Sequence, residues 1–294
     1  MRVGTIGVVG AGTMGQGIAT ACAGAGLEVL IADRTVDVAK RAVEEIGAAL
    51  DRDIAKWRHT ESEKKAILGR LRAVDGLAAL AAADVVIEAV PDDLAIKGGI
   101  FAELDGVCPP PAILATNTSA LSVTEIAAHT KRPERVIGLH FQNPGTRAPL
   151  VEIVRGLETS DEALAAARQL VRQIGKTGIE VADSPGYVTT RVIVPFLNEA
   201  MNTVMEGVAS ASAVDTAMTL GYGLPAGPFA IADRIGLDEL LRWTERLFAE
   251  LGDVKYRPCP LLRQMVRAGR LGVKSGRGFF EYDESGQIRK AEEP

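Results

Sequence analysis

The chain has 294 residues, a formal net charge of −5, 47% hydrophobic residues and 24% charged residues. The length predicts about two globular domains, and the acidic balance argues against a general nucleic-acid binder, which would carry a basic face. The sequence shows neither an apolar run that could span a bilayer nor the basic-then-apolar order of a signal peptide. Its three widely spaced cysteines favour a reducing compartment, so we expect a cytoplasmic protein without nucleic-acid or membrane partners.

A glycine-rich turn follows the first predicted strand, residues 3–9, and precedes a helix over 16–24 and a strand over 27–32. Glycines in such a turn let backbone N–H groups approach a pyrophosphate and let the helix pack closely on the strand. Asp33 ends the second strand near the usual distance of about 20 residues, where it can accept from the ribose hydroxyls. This βαβ unit predicts a dinucleotide site whose first contacts are Gly10, Gly12, Thr13, Met14, Gly15 and Asp33.

Asp33 also indicates which dinucleotide binds. A 2′-phosphate would lie against its carboxylate, so NAD is favoured over NADP, although the neighbouring Arg34 could receive such a phosphate. The next residues, 35–72, predict two helices with a turn near Thr60 and many alternating charges, Lys56 among them. These helices present either a solvated face or a cationic arm for a polyanionic ligand tail.

Three further buried strands are predicted over residues 84–90, 112–116 and 135–139. In an open parallel sheet, ligands lie beyond the carboxyl ends of the strands. These ends bring Ser119 and His140 to the same crevice as the glycine turn. They also add to the expected cofactor contacts Glu88, Ala89, Val90 and Asn117.

The stretch RVIGLHFQNPGTRAPLVEI, residues 135–153, predicts two strands joined by a loop. His140 ends the first strand and Glu152 lies in the second, so the two side chains can meet. An imidazole that titrates near neutrality and a carboxylate that holds its ring are what a proton-abstracting site needs. We expect His59 at the surface and His129 at a helix end, which leaves His140 as the candidate base. The sequence shows no clustered ligand set for a metal.

The segment DSPG, residues 183–186, is the expected domain boundary, after a helix over 160–174 and a strand over 177–181. The predicted fold is an α/β Rossmann-like domain over 1–183, with a mostly parallel sheet and a helical arm after the second strand, followed by an all-α domain over 184–294. Helices are expected there over 187–205, 214–220 and 229–251, the last broken near Gly236. Their apolar faces indicate either ordinary packing within the chain or a second copy as partner, and we expect the latter, hence a homodimer.

Several motifs occur along the chain in an order that resembles one family. They are GAGTMGQGIA with Asp33, ATNTSALSV, GLHFQNP, LVEIV, PGYVTTR, GLPAGPFAIADRIGLD and GRGFFEYD. Together they resemble the L-3-hydroxyacyl-CoA dehydrogenases, most nearly the bacterial 3-hydroxybutyryl-CoA dehydrogenase type. The resemblance covers nearly the whole chain.

The resemblance implies NAD-dependent oxidation of the 3-hydroxyl of a short-chain 3-hydroxyacyl-CoA, or the reverse. Carried over by motif, His140 resembles the family's general base and Glu152 its charge partner. Ser119 and Asn143 resemble the residues that bond the oxygen atoms of the substrate, and Lys97 resembles a lysine near the nicotinamide ribose. The substrate is then a small acyl thioester of coenzyme A.

Some positions near the acyl site depart from the family pattern. Lys56 agrees with that pattern, since it aligns with a lysine that meets the nucleotide part of coenzyme A. Thr190 departs from it, because the family has an asparagine at that position. Gln142 and Arg147 add polarity where the family is apolar, and Asp92 replaces a glutamate. These changes reflect either drift within one activity or a different, polar acyl group. The second case includes thioesters of an acyl carrier protein in polyketide extender-unit biosynthesis. A non-catalytic NAD-binding protein, like the relatives recruited as lens crystallins, is a third and more remote alternative.

Overall fold

The computed structural model describes residues 3–142 and 148–289. The chain divides into two compact units, and the division falls between Tyr187 and Val188. The first unit is a mostly parallel sheet covered by helices, and the second is helical, which confirms the predicted fold class.

In the described part of the first unit, eight strands form the sheet. They are β1 (Thr5–Val9), β2 (Glu28–Ala32), β3 (Leu71–Ala73), β4 (Val85–Glu88), β5 (Ile113–Thr116), β6 (Val136–Phe141), β7 (Leu150–Arg155) and β8 (Thr177–Ala182). Their order is β3-β2-β1-β4-β5-β6-β7-β8, and neighbours are parallel except β6 and β7, which are antiparallel. The strand order changes direction between β1 and β4. This is the switch point where doubly wound folds bind ligands.

Helices cover both faces of this sheet. They are α1 (Thr13–Gly24), α2 (Val36–Ile54), α3 (Glu61–Leu68), α4 (Leu94–Val107), α5 (Val123–Ala127) and α6 (Asp161–Gln173). The central strands are buried along their whole length, because apolar clusters lie on each side of the sheet. Helices α2 and α3 form the expected helical arm, and a capping box between Thr60 and Glu63 starts α3.

The observed bounds differ from the predicted ones where local patterns are weak. Helix α1 begins at Thr13, inside the glycine turn, because Gly12 already acts as its N-cap. The helical prediction up to residue 72 was wrong at its end, since α3 stops at Leu68 and β3 pairs with β2. Three residues are too short to show a strand period. Helix α4 was not predicted, and its two adjacent glycines lower its intrinsic propensity.

The second unit contains helices α7 (Thr189–Met205), α8 (Ala211–Tyr222), α9 (Pro228–Ile235), α10 (Leu237–Leu251) and α11 (Pro260–Arg267). Gly236, at φ +101°, separates α9 from α10, where a break was expected. The buried Asp233 carboxylate accepts hydrogen bonds from the Phe279 and Phe280 N–H groups and from the Tyr282 hydroxyl, which fixes the tail on α9. Among the described residues, no helix combines the length and apolarity needed to cross a membrane.

Candidate active site

The glycine turn between β1 and α1 has the form of an anion cradle. Gly10 lies at φ +101°, and a Cβ there would come within 2.8 Å of the Ala89 carbonyl oxygen. A Cβ on Gly15 would lie 1.8 Å from the Gly10 carbonyl oxygen, whereas one on Gly12 would meet nothing within 4 Å. Gly12 is the N-cap of α1, and no side chain caps the first N–H groups of that helix. The first turn of α1, which includes Thr13 and Met14, also holds no acidic residue. These backbone N–H groups therefore suit the pyrophosphate of a dinucleotide.

The carboxylate of Asp33 lies beside this turn. One oxygen accepts the Ala11 N–H at 2.7 Å and the other accepts the Arg34 N–H at 2.7 Å. Each carboxylate oxygen has a further lone pair, so ribose hydroxyls can still donate to it. The Arg34 side chain is 93% exposed, while that of Asp33 is only 16% exposed. The geometry of this corner therefore fits an unphosphorylated ribose.

A buried ion pair lies at the carboxyl end of β4. The Lys97 ammonium, on α4, donates to both Glu88 oxygens at 2.7 and 2.9 Å and to the Val90 carbonyl at 3.1 Å. Asp92 lies 3.2 Å from the same ammonium. Burial raises the pKa of Glu88, and the Lys97 charge works against that rise. Lys97 and Glu88 thus fix the loop that includes Ala89 and Val90, and contact of Lys97 with a ribose remains a prediction.

The loop after β5 carries Asn117 and Ser119. The Asn117 side-chain oxygen accepts the Phe141 N–H at 2.8 Å, which joins the ends of β5 and β6. The Ser119 N–H donates to Asp92 at 3.2 Å, and its side chain is partly exposed. Asp92 therefore links the ion pair at β4 to the serine predicted to bind substrate.

His140 and Glu152 stand directly opposite each other in the antiparallel pairing of β6 and β7. The imidazole Nδ1 lies 2.7 Å from a Glu152 carboxylate oxygen, and the two residues are 3% and 0% exposed. A carboxylate at Nδ1 holds the proton there, so Nε2 carries the lone pair of the neutral ring. The Gln142 amide nitrogen lies 3.3 Å from Nδ1 and 3.5 Å from Glu152. The arrangement orients the imidazole and keeps it largely out of contact with solvent, as a general base would require.

Tyr187, the last residue of the first unit, is a site neighbour that the sequence analysis missed. A helix was predicted from this position, but α7 begins at Thr189 and Tyr187 itself has φ +48°. Its ring centroid lies 5.6 Å from that of His140 at an interplanar angle of 55°. The preceding Gly186, also at positive φ, was the available signal of a sharp turn.

The segment that leads to Tyr187 is anchored by Asp183. Its carboxylate accepts from the Ser122 hydroxyl at 2.7 Å and from the Val123 and Thr124 N–H groups at 3.0 and 2.7 Å. The Ser122 hydroxyl in turn accepts the Glu125 N–H and caps the N-terminus of α5. Asp183 therefore ties the end of β8 to the start of α5.

The structure describes two more of the predicted substrate contacts, Thr190 and Lys56. Thr190 is buried in the first turn of α7, in the second unit. Lys56 is exposed in the turn between α2 and α3, next to Trp57 at φ +57°. Asn143 and Arg147, with Thr146, fall outside the described residues.

Comparison with known proteins assigns both halves of the chain. Residues 5–184 match the family model described as "3-hydroxyacyl-CoA dehydrogenase, NAD binding domain", and residues 186–282 match "3-hydroxyacyl-CoA dehydrogenase, C-terminal domain". A probable 3-hydroxybutyryl-CoA dehydrogenase of Bacillus subtilis (strain 168) is 48% identical over 284 residues, which cover 97% of this chain and 99% of the relative. The 3-hydroxyadipyl-CoA dehydrogenase of Escherichia coli (strain K12) is 39% identical over 283 residues, which cover 96% of this chain and 60% of that relative.

A solved structure is similar throughout. The crystal structure of (S)-3-hydroxybutyryl-CoA dehydrogenase PaaH1 from Ralstonia eutropha has a TM-score of 0.90 and 44% identity, covering 96% of this chain and all of that one (100%). The glycine cradle and Asp33 agree with the NAD-binding description of the matching domain. The chain therefore belongs to the 3-hydroxyacyl-CoA dehydrogenase family and is an NAD-dependent oxidoreductase.

Proposed function

We propose that this protein oxidises the 3-hydroxyl of a short-chain 3-hydroxyacyl-CoA to the 3-oxoacyl-CoA, or catalyses the reverse reduction. The observation that carries the proposal is the pairing of the His140 Nδ1 with Glu152 at 2.7 Å, at the carboxyl end of β6. This pairing leaves Nε2 as the basic nitrogen, in a chain whose family acts on hydroxyacyl thioesters.

In the oxidative direction, the Nε2 of His140 takes the proton of the substrate's 3-hydroxyl. Bound NAD supplies the hydride acceptor. The imidazolium that forms is stabilised by the Glu152 carboxylate, which is buried and therefore poorly screened by water. A general base placed in this way contributes about 10²–10⁴-fold to the rate. In the reductive direction the same imidazolium returns its proton to the 3-oxo oxygen.

Ser119 and Asn143 are proposed to bond the substrate's oxygens. The Ser119 loop supports this role because its backbone is tied to Asp92 and it follows β5, next to the strand that carries His140. Thr190, Arg147 and Lys56 complete the proposed substrate contacts. We propose the following cofactor contacts: Gly10, Gly12, Thr13, Met14, Gly15, Asp33, Glu88, Ala89, Val90, Lys97 and Asn117.

A second candidate substrate is an acyl group with a polar end, carried by coenzyme A or by an acyl carrier protein. Gln142 favours it, because its amide lies within 3.3–3.5 Å of the His140–Glu152 pair, where the family pattern shows an apolar residue. One relative is named for a dicarboxylic substrate, 3-hydroxyadipyl-CoA. The chemistry at C3 is the same for both candidates.

We further propose that the protein is a homodimer that assembles through its second unit. Helix α8 has no buried residue, and the apolar side chains of Val208, Leu220 and Tyr222 are 71%, 83% and 79% exposed. A second copy would remove these side chains from water. Light scattering should report a dimer, and Leu220→Glu should shift it toward the monomer. A wild-type monomer at micromolar concentration would contradict this proposal.

The three cysteines are free and buried, which supports the expected cytoplasmic location.

The proposed reaction is tested by NADH absorbance at 340 nm. Acetoacetyl-CoA, 3-oxoadipyl-CoA and acetoacetyl-acyl carrier protein are compared as substrates for reduction at equal concentrations. The highest kcat/KM with acetoacetyl-CoA supports the first proposal, and preference for either of the others supports the second candidate. Absence of turnover with all three, and with their 3-hydroxy counterparts and NAD, would indicate a non-catalytic NAD-binding protein.

A further inference from the structure

Tyr187 adopts a backbone conformation that L-residues with bulky side chains rarely adopt. Its φ is +48°, it follows Gly186 at φ +74°, and its side chain is buried. Such strain persists only where surrounding contacts hold it, and it is concentrated at functional sites. The contacts that hold Tyr187 therefore identify what the strain serves.

Those contacts reach two parts of the proposed active site. The ring lies against the imidazole of His140, at a centroid distance of 5.6 Å. The hydroxyl donates to the Leu121 carbonyl at 2.9 Å, across 66 positions of sequence. Leu121 lies two residues after Ser119 in the loop that follows β5. A single side chain thus touches the base and the loop of the substrate-binding serine.

We propose that Tyr187 is a positioning residue for the hydroxyacyl dehydrogenase reaction. Its ring fixes the imidazole of His140 and stabilises the imidazolium form, and its hydroxyl holds the Ser119 loop in place. This inference rests on the proposed function, because it assigns Tyr187 a role toward that base and that serine.

The electrostatic surroundings support the ring's role. Tilted aromatic contacts at 4.5–7 Å are favourable, and an aromatic ring attracts a neighbouring cation. Among the described residues, the contacts of the imidazole are with Glu152 on β7, the neutral amide of Gln142, and Tyr187. Asp183 and Asp92 also act on Tyr187 through their charges. The ring thus adds to the stabilisation that Glu152 gives the imidazolium.

The hydroxyl acts as a hydrogen-bond donor and not as a proton-transfer group. Burial and the negative charges of Asp183, Asp92 and Glu152 raise the pKa of Tyr187 well above its ordinary value. The phenol therefore stays protonated across the working pH range and keeps its bond to Leu121.

Two substitutions separate the two roles. Tyr187→Phe keeps the ring and loses the hydroxyl, so the KM for the acyl thioester should rise about three- to tenfold while the pH profile stays in place. Tyr187→Leu also loses the ring. The imidazolium is then less stable. The acid limb of the pH profile of kcat for 3-hydroxybutyryl-CoA oxidation should therefore move to lower pH by about half a unit.

Tyr282→Phe is the matched control, because it also removes a buried hydroxyl donor, but in the second unit. It should lower the thermal midpoint without moving the KM or the acid limb. NADH binding, followed by fluorescence, should be unchanged in all three variants. If Tyr187→Leu does not fold, Tyr187→Met offers a similar volume without an aromatic face.

The proposal is overturned if Tyr187→Leu keeps the wild-type acid limb and Tyr187→Phe keeps the wild-type KM. A uniform fall in stability and kcat alone would show a merely structural role. Failure of the proposed reaction is seen separately, because the wild-type protein itself would then show no turnover.

Discussion

Replacement of Glu152 by glutamine removes the buried charge next to His140 with little change in shape. Glu152 is 0% exposed and its oxygen lies 2.7 Å from the imidazole Nδ1. The glutamine amide oxygen can still accept a hydrogen bond from the Nδ1–H, so the ring is held, but the imidazolium loses its counter-charge. The substitution therefore isolates the electrostatic part of the proposed mechanism.

The expected loss follows from Coulomb's law. Unit charges about 4 Å apart interact by about 4 kcal/mol at the effective dielectric constant of about 20 that suits protein sites. Each tenfold change in rate corresponds to about 1.4 kcal/mol. Allowing for partial charge on the ring in the transition state, we expect kcat to fall about 10²–10³-fold.

The assay is the steady-state reduction of acetoacetyl-CoA at saturating NADH, followed at 340 nm, with NADH affinity measured by fluorescence. NADH affinity should stay within twofold, because Glu152 pairs with His140 and not with the glycine turn. Glu180→Gln is the control, because it makes the same change on the adjacent strand β8. The Glu180 carboxylate is half-exposed and pairs with Arg168. A Glu152→Gln enzyme that retains more than a tenth of wild-type kcat would refute the assigned role of the pair.

Other substitutions and one chemical probe test the rest of the site. His140→Ala should abolish turnover and leave NADH binding nearly unchanged, and measurable steady-state turnover would remove His140 as the base. Asp33→Ala should raise the KM for NAD by about 100-fold or more, since two hydrogen bonds to a charged group are lost, each worth about 1.5–3 kcal/mol; an unchanged KM would count against the ribose contact. Lys97→Met should lower the free energy of unfolding in urea by about 3–5 kcal/mol, because Glu88 is left buried without its partner, and the double variant Glu88→Gln, Lys97→Met should recover most of that loss. Burial raises the pKa of the Cys22 thiol to about 12, and all three cysteines are buried, so Ellman's reagent at pH 8 should label none of them before unfolding. Rapid labelling of the native protein would show that these thiols are accessible.

The sequence alone was sufficient to predict those features whose geometry depends on a short stretch of chain. The turn from Gly10 to Gly15 and the acid at Asp33 are separated by one helix, and their geometry follows from a single βαβ unit. The positions of Asn117, Ser119 and His140 at strand ends followed from apolar runs whose ends are marked by polar residues. These predictions needed only local periodicity and the rule that parallel strands share a carboxyl edge.

Tertiary structure decided the contacts that join distant segments. The direct register of His140 with Glu152 depends on the antiparallel pairing of β6 and β7, since a shift by one residue would turn one side chain to the other face of the sheet. The pairing of Lys97 with Glu88 depends on how α4 returns to β4. The hydrogen bond from the Tyr187 hydroxyl to the Leu121 carbonyl joins the end of the first unit to the loop after β5. Sequence patterns report local backbone preference and burial, whereas these contacts arise only when separate elements pack together.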